Sequence, residues 1–269
     1  MRSIKIFPIA VLLTIVVLGS TAFINARLLN KVNNNEKGFA VVELFTSEGC
    51  SSCPPADELV AKIEKESKDQ PVYILAYHVD YWNRLGWKDV FSSADFSKRQ
   101  NDYARYLKLQ SIYTPQIVVN GKTEFVGSEE GTLRNAIKSS LQKPSPNQLT
   151  LNVQSIDKGM AKIKYNTEGA DKNTMLQIAI LQKNAQTRVG RGENSGRTLS
   201  HVQIVRNLQS VPLSGSMGTI NAALPNGFDT KGWEIIVFLQ NTADGAITAA
   251  ARASLPNEAG TLAGVKNSK

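Results

Sequence analysis

Apolar and polar positions follow three regimes along the chain. Residues 6–18 are almost continuously apolar and sit behind Arg2 and Lys5. Residues 39–143 alternate solid apolar runs with amphipathic stretches, and from residue 148 onward only short alternating runs remain, separated by turn residues. In the middle regime, residues 39–46 are apolar and β-branched, the pattern of a buried strand. Residues 56–68 carry Leu59, Val60 and Ile63 on one side and Lys62, Lys65 and Glu66 on the other, which predicts an amphipathic helix. A second strand follows over 72–79, a helix over 92–109 and a strand over 116–119. Asn120-Gly121 reads as a hairpin turn into a strand at 123–126, and the last helix spans 132–141. Beyond Pro144-Ser145-Pro146 the helical periodicity stops. Seven short runs, at 148–154, 160–165, 175–181, 200–207, 219–224, 234–240 and 247–251, have the spacing of a β-sandwich.

Composition adds limits. The chain has 269 residues, 42% of them hydrophobic and 20% charged, which suits a globular protein and excludes collagen-like or disordered classes. A mean hydropathy of -0.21 leaves no room for a polytopic membrane protein. The net charge of +8 divides into +4 over residues 1–38, -1 over 39–143 and +5 over 144–269. The aromatic-rich middle segment is thus slightly acidic, which argues against a nucleic-acid partner. The basic start, the apolar run and the small residues Ser20-Thr21-Ala22 form a signal-peptide pattern over residues 1–22. If the run is extended to Ile24, it reads instead as an uncleaved anchor. Either reading places the remainder outside the cytoplasm, periplasmic or secreted, with membrane contact only through that segment. Residues 23–38 read as a linker, and 259–269 as a tail.

The two cysteines of the chain lie at the first strand-to-helix junction, in Glu48-Gly49-Cys50-Ser51-Ser52-Cys53-Pro54-Pro55. Thiols three positions apart at a helix start can close a small disulfide, and the helix N-terminus favours a thiolate. The same spacing is half of a zinc site, but no second pair completes one. His78 and Asp80 alternate on the second strand ahead of Tyr81, Trp82 and Trp87. His78 could serve as a base, as a metal ligand or as a satisfied structural residue, and with Cys50 and Cys53 it could hold copper. The glycine- and arginine-rich stretch 188–197 reads as a mobile surface loop, free to dock an acidic partner or to fold over the dithiol.

The segments Ser47 to Asp57, His78-Val79-Asp80-Tyr81-Trp82, Gly86-Trp87-Lys88-Asp89, Tyr113-Thr114-Pro115-Gln116, Arg191-Gly192-Glu193-Asn194 and Gly196-Arg197 resemble an exported bacterial family catalogued as domain of unknown function 1223. The order of elements around Cys50 and Cys53, with Thr114-Pro115 downstream, resembles the thioredoxin fold. That likeness implies that Cys50 attacks a substrate disulfide, that Cys53 resolves the mixed disulfide, and that Thr114 and a cis Pro115 present backbone to an extended substrate. It also implies a buried acid beneath the sulfurs. Glu43 is the candidate, one residue out of the usual register, and one residue changes the face of a strand. Gly49 stands where a tryptophan is common. Pro54 and Pro55 bias the helix to begin late, and Glu48 adds a charge that disfavours a thiolate.

The sequence therefore predicts an α/β thioredoxin-like domain over 39–143, followed by a β-sandwich-like domain over 147–258. The expected function is extracytoplasmic thiol–disulfide exchange with a protein or peptide, using Cys50, Cys53 and Glu43 as chemical groups and Thr114 and Pro115 as the substrate contact. No cofactor or resident metal is expected, and a redox partner must reset the dithiol. The alternatives are a non-catalytic exported binding module with a structural disulfide and a copper-handling protein.

Overall fold

The computed structural model describes residues 38–255. The expected export segment 1–22, the tail 259–269 and all of the linker 23–38 except Gly38 lie outside these residues. Within them run strands β1 (Ala40–Thr46), β2 (Val72–His78), β3 (Gln116–Val119), β4 (Thr123–Val126), β5 (Gln148–Asp157), β6 (Met160–Glu168), β7 (Thr174–Arg188), β8 (Thr198–Pro212), β9 (Met217–Ala223), β10 (Trp233–Asn241) and β11 (Ile247–Arg252). The helices are α1 (Pro54–Glu66), α2 (Ala94–Leu107) and α3 (Glu130–Leu141), with a 3-10 turn at Asn83–Leu85.

Eight strands form one mixed sheet in the order β11-β10-β7-β8-β2-β1-β3-β4, and β5-β6-β9 form a second sheet of three. On β2, Ile74, Leu75, Ala76 and Tyr77 are all buried, so the strand is apolar on both faces and sits in the interior of a sheet. One edge of β2 pairs in parallel with β1 along its length. The other meets β8, also in parallel, where Ala76 stands opposite Ile204. On one face, Val42 and Leu44 of β1 pack with Leu59, Val60 and Ile63 of α1 and Leu133 of α3. On the opposite face, Phe45, Tyr77, Phe96 and Tyr103 pack with Leu181, Val205 and Phe238. A third core joins Ile163 and Tyr165 of β6 to Ile178 of β7 and Val237 of β10. Each large side chain buried in these layers contributes about 1.5–3 kcal/mol.

This architecture corrects the expected fold class. Each of the seven downstream runs is a strand, but β7, β8, β10 and β11 extend the same sheet that holds β1–β4, and only three strands form the second sheet. Of the described residues 44% are strand and 19% helix, mostly sheet rather than a helix-flanked thioredoxin-like α/β domain. Local periodicity identifies a strand but does not choose its neighbour, and the apolar free edge of β2 recruits β8 from the distant half of the chain. The turn after β3 adds a second tie. Asn120, with φ 48°, accepts from the Val41 amide at 2.7 Å and donates to the Phe39 carbonyl at 3.0 Å. Its own carbonyl accepts from the Ile247 amide at 3.0 Å. Gly121 follows at φ 69°, where an added Cβ would lie 2.0 Å from the Gly245 carbonyl oxygen; only glycine permits that approach. Among the described residues no helix is long and apolar enough to cross a membrane.

Candidate functional site

Cys50 and Cys53 form a disulfide in the turn that leads into α1, and both are fully buried. The turn is closed by the Cys50 amide on the Ser47 carbonyl and the Cys53 amide on the Cys50 carbonyl, each at 3.2 Å. Contrary to the late start expected from the two prolines, α1 begins at Pro54, with Cys53 as its cap in helical geometry. Prolines at the first two helical positions give up only amides that would have no helical partner, so they open the helix instead of delaying it. The structure brings Thr114 and Pro115 beside this turn. The Ser52 hydroxyl lies 3.5 Å from the Thr114 carbonyl, Trp82 Nε1 donates to Thr114 Oγ1 at 2.8 Å, and the Thr114–Pro115 peptide is cis.

Glu43 is not brought to the sulfurs. Alternation along β1 sends Thr46 toward α1, where its hydroxyl donates to Asp57, and sends Glu43 toward α2. There Arg99 Nε donates to Glu43 Oε1 at 2.6 Å, and the Tyr103 hydroxyl donates to Oε2. Arg99 also donates to Gln240 Oε1 at 3.1 Å and to the Tyr103 hydroxyl at 3.0 Å. Burial opposes the guanidinium charge, but Glu43 outweighs it and raises the Arg99 pKa well above its ordinary value.

Behind the disulfide lies a buried cluster of Glu48, Asp57, His78, Asp89 and His201. His78 Nδ1 is 2.7 Å from Asp89 Oδ2. Asp89 also accepts from the amides of Glu48 and Phe91, each at 2.9 Å. Trp87 Nε1 donates to Glu48 Oε2 at 2.7 Å. His201 Nε2 stands 3.4 Å from Glu48 Oε1, close enough for an ion pair when the ring is protonated. The two imidazoles meet nearly edge to face at 4.8 Å. His78 Nε2 and both His201 nitrogens lack a hydrogen-bond partner. Burial raises the pKa of Asp57, against the pull of His201 and His78. Burial alone would lower His78, but the Asp89 carboxylate outweighs it and raises the pKa. Asp89 is correspondingly held below the usual carboxylate value: burial opposes its charge, and His78 and the two amides more than offset that.

The segment between β7 and β8 covers the turn. The Asn194 side-chain amide donates to the carbonyls of Glu48 and Cys50, both at 2.9 Å, and Arg197 fixes its oxygen at 2.8 Å. Glu193 accepts from the Ser51 amide at 2.9 Å, and these bonds from Ser51 lower the Glu193 pKa. Of the two roles expected for residues 188–197, the structure shows the fold-over.

Sequence reasoning placed the cysteines, Thr114, Pro115 and His78 near one another, and missed Asp57, Asp89 and His201. The available signal was parity. Thr46 and His78 are paired residues of β1 and β2 and face the same side as the start of α1, where a buried Asp57 is an anomaly. Among the described residues no group of three or more His, Cys, Asp or Glu side chains is placed to hold a metal ion, so the copper reading gains no support.

No curated protein matches the chain. The structure of protein AGR_C_4864 from Agrobacterium tumefaciens is 29% identical and aligns with a TM-score of 0.64, covering 81% of this chain and 95% of that one. A domain of the outer membrane lipoprotein Omp28 from Porphyromonas gingivalis aligns at 13% identity with a TM-score of 0.24, over 40% of this chain and 86% of that one, too weakly to bear on the fold. A family model described as "Protein of unknown function (DUF1223)" matches residues 41–240, a span that holds the disulfide turn, the buried cluster and the covering segment, and the chain belongs to that family.

Proposed function

We propose that this is an exported, non-catalytic binding module in which the Cys50–Cys53 disulfide is structural and stiffens a surface that receives a protein or peptide. The observation that carries this reading is the seal: both cysteines are fully buried under Asn194, which spans the carbonyls on either side of Gly49. Trp87 and Asp89 tie the segment after β2 to Glu48 in the same turn. That segment presents Leu85 at 49% and Val90 at 61% exposure, beside the basic residues Arg84 and Lys88. Exposed apolar side chains on a fixed backbone suit a docking surface, because little order is lost on binding. Export rests on the N-terminal pattern of residues 1–22.

Equilibration in glutathione buffers tests the proposal. The folded protein should keep its disulfide, with a potential below about -300 mV, and should show no disulfide reductase activity. Cys53→Ser should collect no mixed disulfides on Cys50 in the native compartment. An exchangeable couple at higher potential, or a filled trap, would overturn the structural reading. It would favour instead thiol–disulfide exchange with a protein or peptide substrate and a redox partner. One observation supports that second reading: Asp57 lies one helical turn beyond Cys53 and its pKa is raised by burial, which suits a group that takes a proton from a thiol.

A further inference from the structure

Helix α2 leaves part of its face of the large sheet uncovered. Beside it, over β7, β8 and β10, is a cavity of about 370 Å³, within the size range of small-ligand sites. Its floor is polar where the strand pattern is otherwise apolar. Gln177 of β7 and Gln240 of β10 are 7% and 6% exposed, on the same face as Ala179, Leu181, Ile236 and Phe238. Gln240 is fully engaged: its oxygen accepts from Arg99, and its amide donates to the Tyr103 hydroxyl at 3.0 Å and the Gly245 carbonyl at 2.9 Å. Gln177 is not. Its oxygen accepts from Ser210 at 2.6 Å, while its amide nitrogen, at the cavity floor, makes no hydrogen bond to the described residues. That nitrogen is open to the cavity, so it is a donor offered to whatever enters there.

The rim decides what can enter. Asp95, Lys98 and Asp102 of α2 stand at the rim; Lys98 Nζ is 3.3 Å from Asp102 Oδ2, and Arg105 pairs with the other oxygen of that carboxylate. Every guanidinium nitrogen of Arg99 already has a partner, and Glu43 balances its charge. Among the described residues that line the cavity each cation is paired with a carboxylate, so a phosphate, a carboxylate or the acid end of an amino acid would have to compete with an existing ion pair. Tyr106 and Leu208 supply apolar wall. We propose that this cavity binds a small neutral saccharide, with one hydroxyl accepting from Gln177 Nε2, another donating to Asp102, and a C–H face against Tyr106 and Leu208. The site lies on the opposite face of the sheet from the disulfide turn and stands independently of the function proposed above.

Calorimetric titration of the intact protein with glucose, galactose, mannose, N-acetylglucosamine and their disaccharides tests this. At least one of these sugars should bind saturably at millimolar concentration. Gln177→Met, which keeps the volume of the side chain, and Asp102→Asn should each weaken that binding tenfold or more while the thermal midpoint shows the fold retained. Glucuronate and glycine should not bind, and Cys53→Ser should leave sugar binding unchanged. Absence of saturable binding by every sugar tested, undiminished binding in both cavity variants, or preference for glucuronate or glycine would overturn the proposal. Loss of sugar binding in a folded Cys53→Ser protein would also overturn it, because it would place the sugar at the disulfide turn.

Discussion

Glu43 and Asp57 are both fully enclosed carboxylates, and their neighbours give them opposite consequences. Glu43 neutralises Arg99, so Glu43→Gln leaves a buried guanidinium without its counter-charge and should cost about 3–5 kcal/mol in urea denaturation. Replacing both partners with apolar residues should cost much less; an equal loss would show that the pair acts through packing alone. Asp57 has its pKa raised by burial. An acid with a folded pKa above its unfolded value pays nothing at pH below the unfolded pKa and carries the full penalty above the folded one. Asp57→Asn should therefore raise the thermal midpoint at pH 7–8 and leave it unchanged near pH 3. A gain on the order of 1 kcal/mol corresponds to roughly 2–4 °C in a chain of this size. The His78–Asp89 pair behaves in the opposite sense. With Asp89 lowered, its stabilisation is full above its unfolded pKa, about 4, and fades as pH falls through the folded value. With His78 raised, its contribution is full below about 6.5 and fades as pH rises through the folded value. Between those limits both contributions are present, and a pH series of thermal midpoints on Asp89→Asn should show its largest deficit there. A uniform deficit from pH 3 to 9 would separate the pair from proton linkage.

At the scale of elements, the strands and helices were legible because each is written in local periodicity: α1 in the spacing of Leu59, Val60 and Ile63, the β3–β4 hairpin in Asn120-Gly121. Partner choice was not legible, since nothing local to β2 names β8. The site divides the same way. Cys50 and Cys53 announce themselves by spacing, and the glycine- and arginine-rich stretch 188–197 offered a cover over them, but not the contact that makes it, from Asn194, 144 positions away in sequence; Glu43 is distinguished from a residue under the sulfurs only by counting parity along β1. The covering segment makes its own prediction. Asn194→Ala strands the Glu48 and Cys50 carbonyls in a buried setting, at about 1–3 kcal/mol. It should speed amide exchange at Ser51 and Ser52 and increase the rate at which dithiothreitol reduces the disulfide. An unchanged reduction rate would mean that Asn194 does not govern access.

For the whole molecule, the continuity of the eight-stranded sheet means that its two halves share one core, in which Tyr77 and Phe96 from the first half meet Val205 and Phe238 from the second. A fragment of residues 38–143 would expose the apolar edge of β2 and half of that core. It should lack a cooperative thermal transition, while residues 38–255 melt in a single step; a sharp transition in the fragment would show that the first half is autonomous. The distance in sequence between the disulfide and its cover also orders events during synthesis. Cys50 emerges 144 residues before Asn194, an interval of roughly 7–30 s at ordinary elongation rates of about 5–20 residues per second. For that interval the cysteines lack their cover, which can close only once β7 and β8 have been made. A disulfide made before β7 and β8 exist is therefore made on an open turn, and one made afterwards has to form beneath Asn194.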